Sequence, residues 1–91
     1  MTIEELFMII EKRKKEAPEN SYVTSVFNAG EDRVIQKVGE EATEVVIAAK
    51  NNRKKEIVSE MADLWFHSLI LLSLYNINPE DIFAEFEKRR K

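Results

Sequence analysis

Two consecutive stretches decide the fold. The first is Glu31-Asp32-Arg33-Val34-Ile35-Gln36-Lys37-Val38-Gly39-Glu40-Glu41-Ala42-Thr43-Glu44-Val45-Val46-Ile47-Ala48-Ala49-Lys50. After Asn51-Asn52 comes the second, Arg53-Lys54-Lys55-Glu56-Ile57-Val58-Ser59-Glu60-Met61-Ala62-Asp63-Leu64-Trp65-Phe66-His67-Ser68-Leu69-Ile70-Leu71-Leu72-Ser73-Leu74-Tyr75. In the first, Val34, Ile35, Val38, Ala42, Val45, Val46 and Ala49 recur at the 3.6-residue period of a helix, and Glu31 with Asp32 suits the positive end of the helix dipole. In the second, the apolar residues beyond Asp63 cover every side, as expected of a helix buried all round, so Trp65 and Phe66 are assigned to the core. Asn51-Asn52 breaks the pattern between them. A helical hairpin is predicted.

Working outward, Thr2-Ile3-Glu4-Glu5 reads as a capping box that opens a helix carrying Ile3, Leu6, Phe7 and Ile10, stopped near Ala17 by Pro18. The segment 18–30 is the longest loop, with room for one short helical turn ended by a left-handed Gly30. Asn78-Pro79-Glu80-Asp81 combines a capping Asn, Pro at the first helical position and acids in the first turn, so a last helix begins there and ends in a basic tail at Lys88-Arg89-Arg90-Lys91. The expectation is an all-α fold of four main helices in one domain spanning 1–91. The girth of the apolar third helix exceeds what its neighbours can cover, so a bundle completed by oligomerisation, at least a homodimer, is expected.

Composition narrows the function. The chain has 91 residues, 14 Lys and Arg against 17 Asp and Glu, and a formal charge of −3, which disfavours a nucleic-acid partner. Cysteine is absent, which removes disulfides, thiolate zinc sites and cysteine nucleophiles. The acidic start lacks the features of a signal peptide, and the longest apolar run, Leu64 to Tyr75, is too short to span a bilayer. No membrane partner and a cytoplasmic location are expected.

The chemistry lies in the acids. At 100° per residue Arg33, Lys37, Glu40 and Glu44 share one stripe, with Glu41 between it and the apolar face. A solvated charged face with a Lys37–Glu41 ion pair is the bland alternative. Like charges four residues apart disfavour a helix, however, and Glu60 and Asp63 enter the edge of a buried environment where an unpaired carboxylate is costly. If the two helices pack antiparallel across Asn51-Asn52, Glu44 levels with Glu60 and Glu41 with Asp63. Two such charges about 5 Å apart repel by about 3 kcal/mol at an effective dielectric of roughly 20. A hard divalent cation, Mg²⁺ or Mn²⁺, relieves that repulsion. His67, one turn beyond Asp63, is either a core histidine or a partner of that carboxylate. Lys37, Lys50 and Arg53 border the acids as candidate phosphate contacts or as ordinary solvated cations.

Glu40-Glu41-Ala42-Thr43-Glu44 and Glu60-Met61-Ala62-Asp63 resemble the EExxE and ExxD motifs of the all-α nucleotide pyrophosphohydrolases, the MazG-like superfamily. With Ser21-Tyr22, Gly30-Glu31-Asp32-Arg33, the long phrase Lys37 to Lys50 and Ala62-Asp63-Leu64, the chain is more specifically similar to the phosphoribosyl-ATP pyrophosphohydrolases of histidine biosynthesis. The resemblance implies hydrolysis of phosphoribosyl-ATP to phosphoribosyl-AMP and pyrophosphate, with Mg²⁺ at Glu41, Glu44, Glu60 and Asp63. It also implies that Glu40 positions or deprotonates the attacking water, or holds a further ion. Substrate contacts are expected from Ser21, Tyr22, Arg33, Lys37, Lys50 and Arg53, with Ser21, Tyr22 and the Arg89-Arg90 tail as a second anion contact that a neighbouring subunit could complete. Two competing readings are a house-cleaning pyrophosphohydrolase for deoxynucleotides or damaged nucleotides, and a non-catalytic helical module whose acids bind a basic partner.

Overall fold

Local signals place the helices closely. Thr2 caps α1 (Ile3–Glu16), its hydroxyl oxygen accepting the Glu5 amide proton at 3.1 Å. The Glu5 carboxylate answers by accepting from the Thr2 hydroxyl at 3.3 Å, rather than from the Thr2 amide that a full capping box would use. Ala17, at φ 47°, turns the chain into the left-handed region before Pro18 and closes α1 with its amide on the Arg13 carbonyl. These features come from a computed structural model that describes residues 1–90; Lys91, at the end of the expected basic tail, lies outside the described residues.

The segment 18–30 holds more structure than one turn. Ser21 caps a seven-residue helix, α2 (Tyr22–Asn28), and Gly30 then initiates α3 (Glu31–Lys50). Gly30 sits at φ 100° and ψ 169°, a backbone setting that a side chain would strain, so it is the hinge between α2 and α3. Asn51 and Asn52, the latter at φ 56°, reverse the chain into α4 (Lys54–Leu74). Asn78 then opens α5 (Pro79–Arg89) with a complete capping box, its side chain accepting from the Glu80 amide at 2.9 Å and Asp81 accepting from the Asn78 amide at 3.1 Å. Among the described residues there are five helices and no strand, the all-α fold expected, with α2 as the short addition.

Helices α3 and α4 form the most extensive pair, and α1 and α2 close over one end of it. The core there gathers Phe7 and Ile10 from α1, Val23 and Val26 from α2, Val34 from α3, and Leu69 and Ile70 from α4. A polar clasp sits at its rim. Buried Ser73 donates to the Glu11 carboxylate at 2.7 Å, while Lys14 donates to the Ser73 carbonyl at 2.7 Å and pairs with Glu11 at 3.3 Å. This clasp satisfies polar groups at the end of α4 that would otherwise be stranded in an apolar setting.

Much apolar surface stays uncovered. Trp65 is 56% exposed, against the expectation of a core position, and Val58, Val46 and Phe86 are more exposed still. Because α4 is apolar on all sides near Trp65, its sequence could not show which side α1 and α3 would cover; Trp65 falls on the side they leave open. It joins two shallow apolar grooves, one of about 370 Å³ reaching to Ile82, Phe83 and Phe86 of α5, the other of about 320 Å³ with Ile57, Val58 and Met61. The radius of gyration is 14.2 Å, where a compact chain of this length would have about 12 Å. The accessible surface is 6860 Å², where a compact monomer of this mass would show about 5,500 Å². By length and composition α4 could cross a membrane, with a mean hydropathy of 1.4 over its best window, so the stretch is longer than the apolar run read from the sequence. In the fold α4 packs against α3 and α1 with 22% of that window buried, and its first half carries Glu56, Glu60 and Asp63.

Candidate metal centre

The antiparallel α3–α4 pair brings acids together midway along its length. Each of Glu41, Glu60 and Asp63 offers a carboxylate oxygen, and these three oxygens lie within 4.8 Å of one another. Glu41 is buried, Glu60 half-buried and Asp63 exposed, so the cluster opens from the helix interface to solvent. Burial raises the Glu60 pKa above the ordinary carboxylate range, and the charges of Glu44, Asp63, Glu41 and Glu56 push it the same way. Glu44 itself is exposed; it reaches the cluster as the strongest charge acting on Glu60 without joining the three converging oxygens. The levelling read from the sequence thus brings Glu41 to Asp63 and Glu44 to Glu60.

The cluster fits a hard cation. All its donors are carboxylate oxygens, and two oxygens on opposite sides of Mg²⁺ are about 4.2 Å apart, since each bond is about 2.1 Å. Three oxygens cannot all lie opposite one another, and neighbouring ones on such an ion are about 3 Å apart, so side-chain rotation must draw the three carboxylates in from a spacing of up to 4.8 Å. Larger cations fit with less adjustment.

Cations line the other side. Lys37 pairs with Glu41 at 3.2 Å and with Glu40 at 3.7 Å, and its side chain is only 15% exposed. Burial works against the Lys37 charge, but the Glu41 hydrogen bond and the charges of Tyr22, Glu41 and Glu40 outweigh it and raise its pKa above the ordinary lysine value. Arg33 reaches along α3 to Glu40 at 2.9 Å. Glu40 is therefore held by two cations beside the cluster rather than within it. Arg33, Lys37 and Glu40 share the stripe that helical spacing predicts.

The remaining expected site residues spread out. Arg53 caps the start of α4 and pairs with Glu56 at 3.2 Å; Lys50 is exposed at the last turn of α3. Ser21 is buried, and its hydroxyl oxygen accepts from the Thr24 amide at 3.3 Å as the cap of α2. Tyr22, half exposed, sends its hydroxyl to His67 Nε2 at 2.8 Å. His67 is buried, as a core histidine would be, but it is tied to the backbone carbonyl of Asp63 at 2.8 Å rather than to the Asp63 carboxylate. The Tyr22–His67 contact escaped the sequence reading. Its single cue was a histidine four residues after Asp63, and nothing in helical periodicity could show that the loop before α3 folds onto that turn of α4.

Comparisons with known proteins supply the family. A family model described as phosphoribosyl-ATP pyrophosphohydrolase matches residues 3–90. A phosphoribosyl-ATP pyrophosphatase of Methanocella arvoryzae is 50% identical over 91 residues, covering 98% of this chain and 96% of the relative. One of Geobacter metallireducens is 46% identical over 96% of this chain and 80% of its own length. One of Burkholderia vietnamiensis is 48% identical over 97% of this chain and 76% of its own. With a family match over nearly the whole length and relatives 46–50% identical, this chain belongs to the phosphoribosyl-ATP pyrophosphohydrolase family.

Proposed function

We propose that residues 1–91 act as one all-α catalytic unit hydrolysing phosphoribosyl-ATP to phosphoribosyl-AMP and pyrophosphate in the cytoplasm, with Mg²⁺ as cofactor and Mn²⁺ as a substitute. The observation that carries the chemistry is the convergence of Glu41, Glu60 and Asp63 oxygens within 4.8 Å; family membership carries the substrate. Glu41, Glu60 and Asp63 would hold the cation, with Glu44 beside Glu60 as the fourth acid. When bound, the cation supplies neutralisation of polyphosphate charge and acidification of water.

The chain's other groups bind and orient. Lys37 stays charged at the edge of the acids, where it can meet a phosphate oxygen the cation does not reach. Glu40 is the proposed proton acceptor for the attacking water. Arg33 and Lys37 pair with it, and phosphate oxygens drawing those cations away would free its carboxylate to face the water. Lys50 and Arg53, at the turn end of the pair, are the proposed contacts for the more distant phosphate. Steady-state pyrophosphate release over a panel of phosphoribosyl-ATP, ATP and deoxynucleoside triphosphates tests this. A kcat/KM for phosphoribosyl-ATP at least tenfold above the others is expected; preference for a deoxynucleotide would point to a house-cleaning activity, and no release from any of them to an interaction module.

The working form is proposed to be a homodimer or higher homo-oligomer. Support comes from the surface, about 1,400 Å² in excess of a compact monomer, which approximates one copy's share of an obligate interface. The exposed Trp65, Val58 and Phe86 concentrate where a second copy would gain most. Sedimentation should give at least twice 10.6 kDa, and Trp65→Glu should reduce it to the single-chain mass.

A further inference from the structure

Tyr22 and His67 form a unit that metal chemistry does not use. The Tyr22 ring lies over Phe66 with centroids 6.3 Å apart and meets the His67 ring edge-on at 5.6 Å. Its hydroxyl is 2.8 Å from His67 Nε2, and His67 Nδ1 is 2.8 Å from the Asp63 carbonyl oxygen. A carbonyl oxygen can only accept, so Nδ1 carries the ring proton. In the neutral ring Nε2 is then the acceptor, and the single Tyr22 hydroxyl proton is donated to it.

That direction has a consequence for recognition. With its proton committed to His67, the Tyr22 oxygen offers only lone pairs to anything approaching from solvent, and Tyr22 is 50% exposed. A phosphate oxygen also offers lone pairs, so the two would repel. The anion contact expected of Tyr22 from the sequence is therefore unsuited to this geometry. The group that fits is a hydrogen-bond donor. Lys37, held beside the acids at 3.2 Å from Glu41, is the group suited to take phosphate instead.

We infer that Tyr22 is a specificity-determining contact for a donor group on the non-phosphate part of the nucleotide, a sugar hydroxyl or a base N–H, and that His67 is the positioning residue that aims its lone pairs. This rests on the proposed nucleotide hydrolysis at the neighbouring acids. It makes the α2 segment a reader of nucleoside identity, set apart from the polyphosphate end of the site.

The test compares wild type, Tyr22→Phe, His67→Gln and His67→Leu for kcat and KM with phosphoribosyl-ATP, and for inhibition by tripolyphosphate, AMP, dAMP and IMP. Tripolyphosphate has no donor group. Tyr22→Phe keeps the ring and its packing while removing the oxygen. It should raise KM roughly fivefold, the worth of one hydrogen bond, with kcat and the tripolyphosphate inhibition constant unchanged. His67→Gln retains an acceptor for the hydroxyl and should approach wild type, whereas His67→Leu should copy Tyr22→Phe; circular dichroism checks that both fold. Loss of discrimination between AMP and dAMP in Tyr22→Phe would place the sugar hydroxyl there, and loss between AMP and IMP the base amine. A tripolyphosphate constant that worsens in step with KM would make Tyr22 a phosphate contact and overturn the inference, as would a KM unchanged in Tyr22→Phe while the wild type is active. A wild type that releases no pyrophosphate would overturn the nucleotide reading itself and this inference with it.

Discussion

The two ends of the α3–α4 pair are built from the same kind of helix and put to opposite uses. Toward the start of α3, Val34 shares a dry core with Leu69 and Ile70, sealed by α1 and α2; Val34 is 1% and Ile70 0% exposed. Toward the Asn51-Asn52 turn neither α1 nor α2 adds cover of that kind, and the pair presents Glu41, Glu60 and Asp63 at its centre with Val46, Ile47 and Val58 exposed beyond. The sealed end holds the helices in register, and the open end spends that register on bringing like charges together. Buried packing and converging charge are thus separated along one helix pair. Mutations should reveal the separation as effects that do not mix.

The largest effect belongs to the sealed end. Ile70→Ala should cost about 2–5 kcal/mol of stability, because the fully buried site leaves a cavity, read as a lower denaturant midpoint. The Mg²⁺ dependence of the protein that remains folded should not move. A changed Mg²⁺ dependence would mean that the two ends are coupled.

At the open end the pattern reverses. Asp63→Asn removes one charge from the cluster, so turnover should fall on the order of 100-fold, at least the loss seen for groups that merely support metal ligands. The melting temperature without metal should hold or rise, because three acids repelling one another are relieved of one charge. A large loss of stability in this variant would show that the acids hold the fold together.

Acid titration gives a smaller but signed effect. The Glu60 pKa is raised in the fold, so between its ordinary and its raised value the folded chain binds more protons than the unfolded one. Metal-free stability should therefore fall as pH rises through that window, and added Mg²⁺ should reverse the trend by competing for the same carboxylate. Glu60→Gln should flatten both responses. Denaturant titrations at several pH values, with and without Mg²⁺, check the sign.

The smallest effect returns to the sealed end. The Thr24 hydroxyl is buried without a hydrogen-bond partner, so Thr24→Val should raise stability by about 1 kcal/mol, the cost of an unsatisfied polar group. A loss on that substitution would mean that the hydroxyl has a partner of its own.

How far this division can be read in the sequence follows from its physical origin. The caps at Thr2 and Asn78, the breaks at Pro18 and Asn51-Asn52, and the long periods of α3 and α4 are local, and each element stands within a residue or two of where it was expected. The acidic cluster was legible because a short turn forces antiparallel levelling, which reduces a tertiary contact to counting residues. Counting gives no direction beyond that. Glu40 turns to Arg33 while its neighbour Glu41 turns inward, with Lys37 reaching both, a difference of one helical step at the boundary of the apolar face. Trp65 was hidden because an all-apolar helix carries no mark of which side its neighbours will cover. Tyr22 was hidden because its partner lies 45 positions away, beyond any periodic signal.

A calorimetric titration of Mn²⁺ into the wild type, Glu60→Gln and Glu40→Gln bears most directly on the central claim, that Glu41, Glu60 and Asp63 form a divalent-cation site. The account predicts one competent site in the wild type, affinity weakened at least tenfold in Glu60→Gln, and affinity close to wild type in Glu40→Gln, whose carboxylate is held by Arg33 and Lys37. Glu60→Gln binding Mn²⁺ as tightly as the wild type would contradict it.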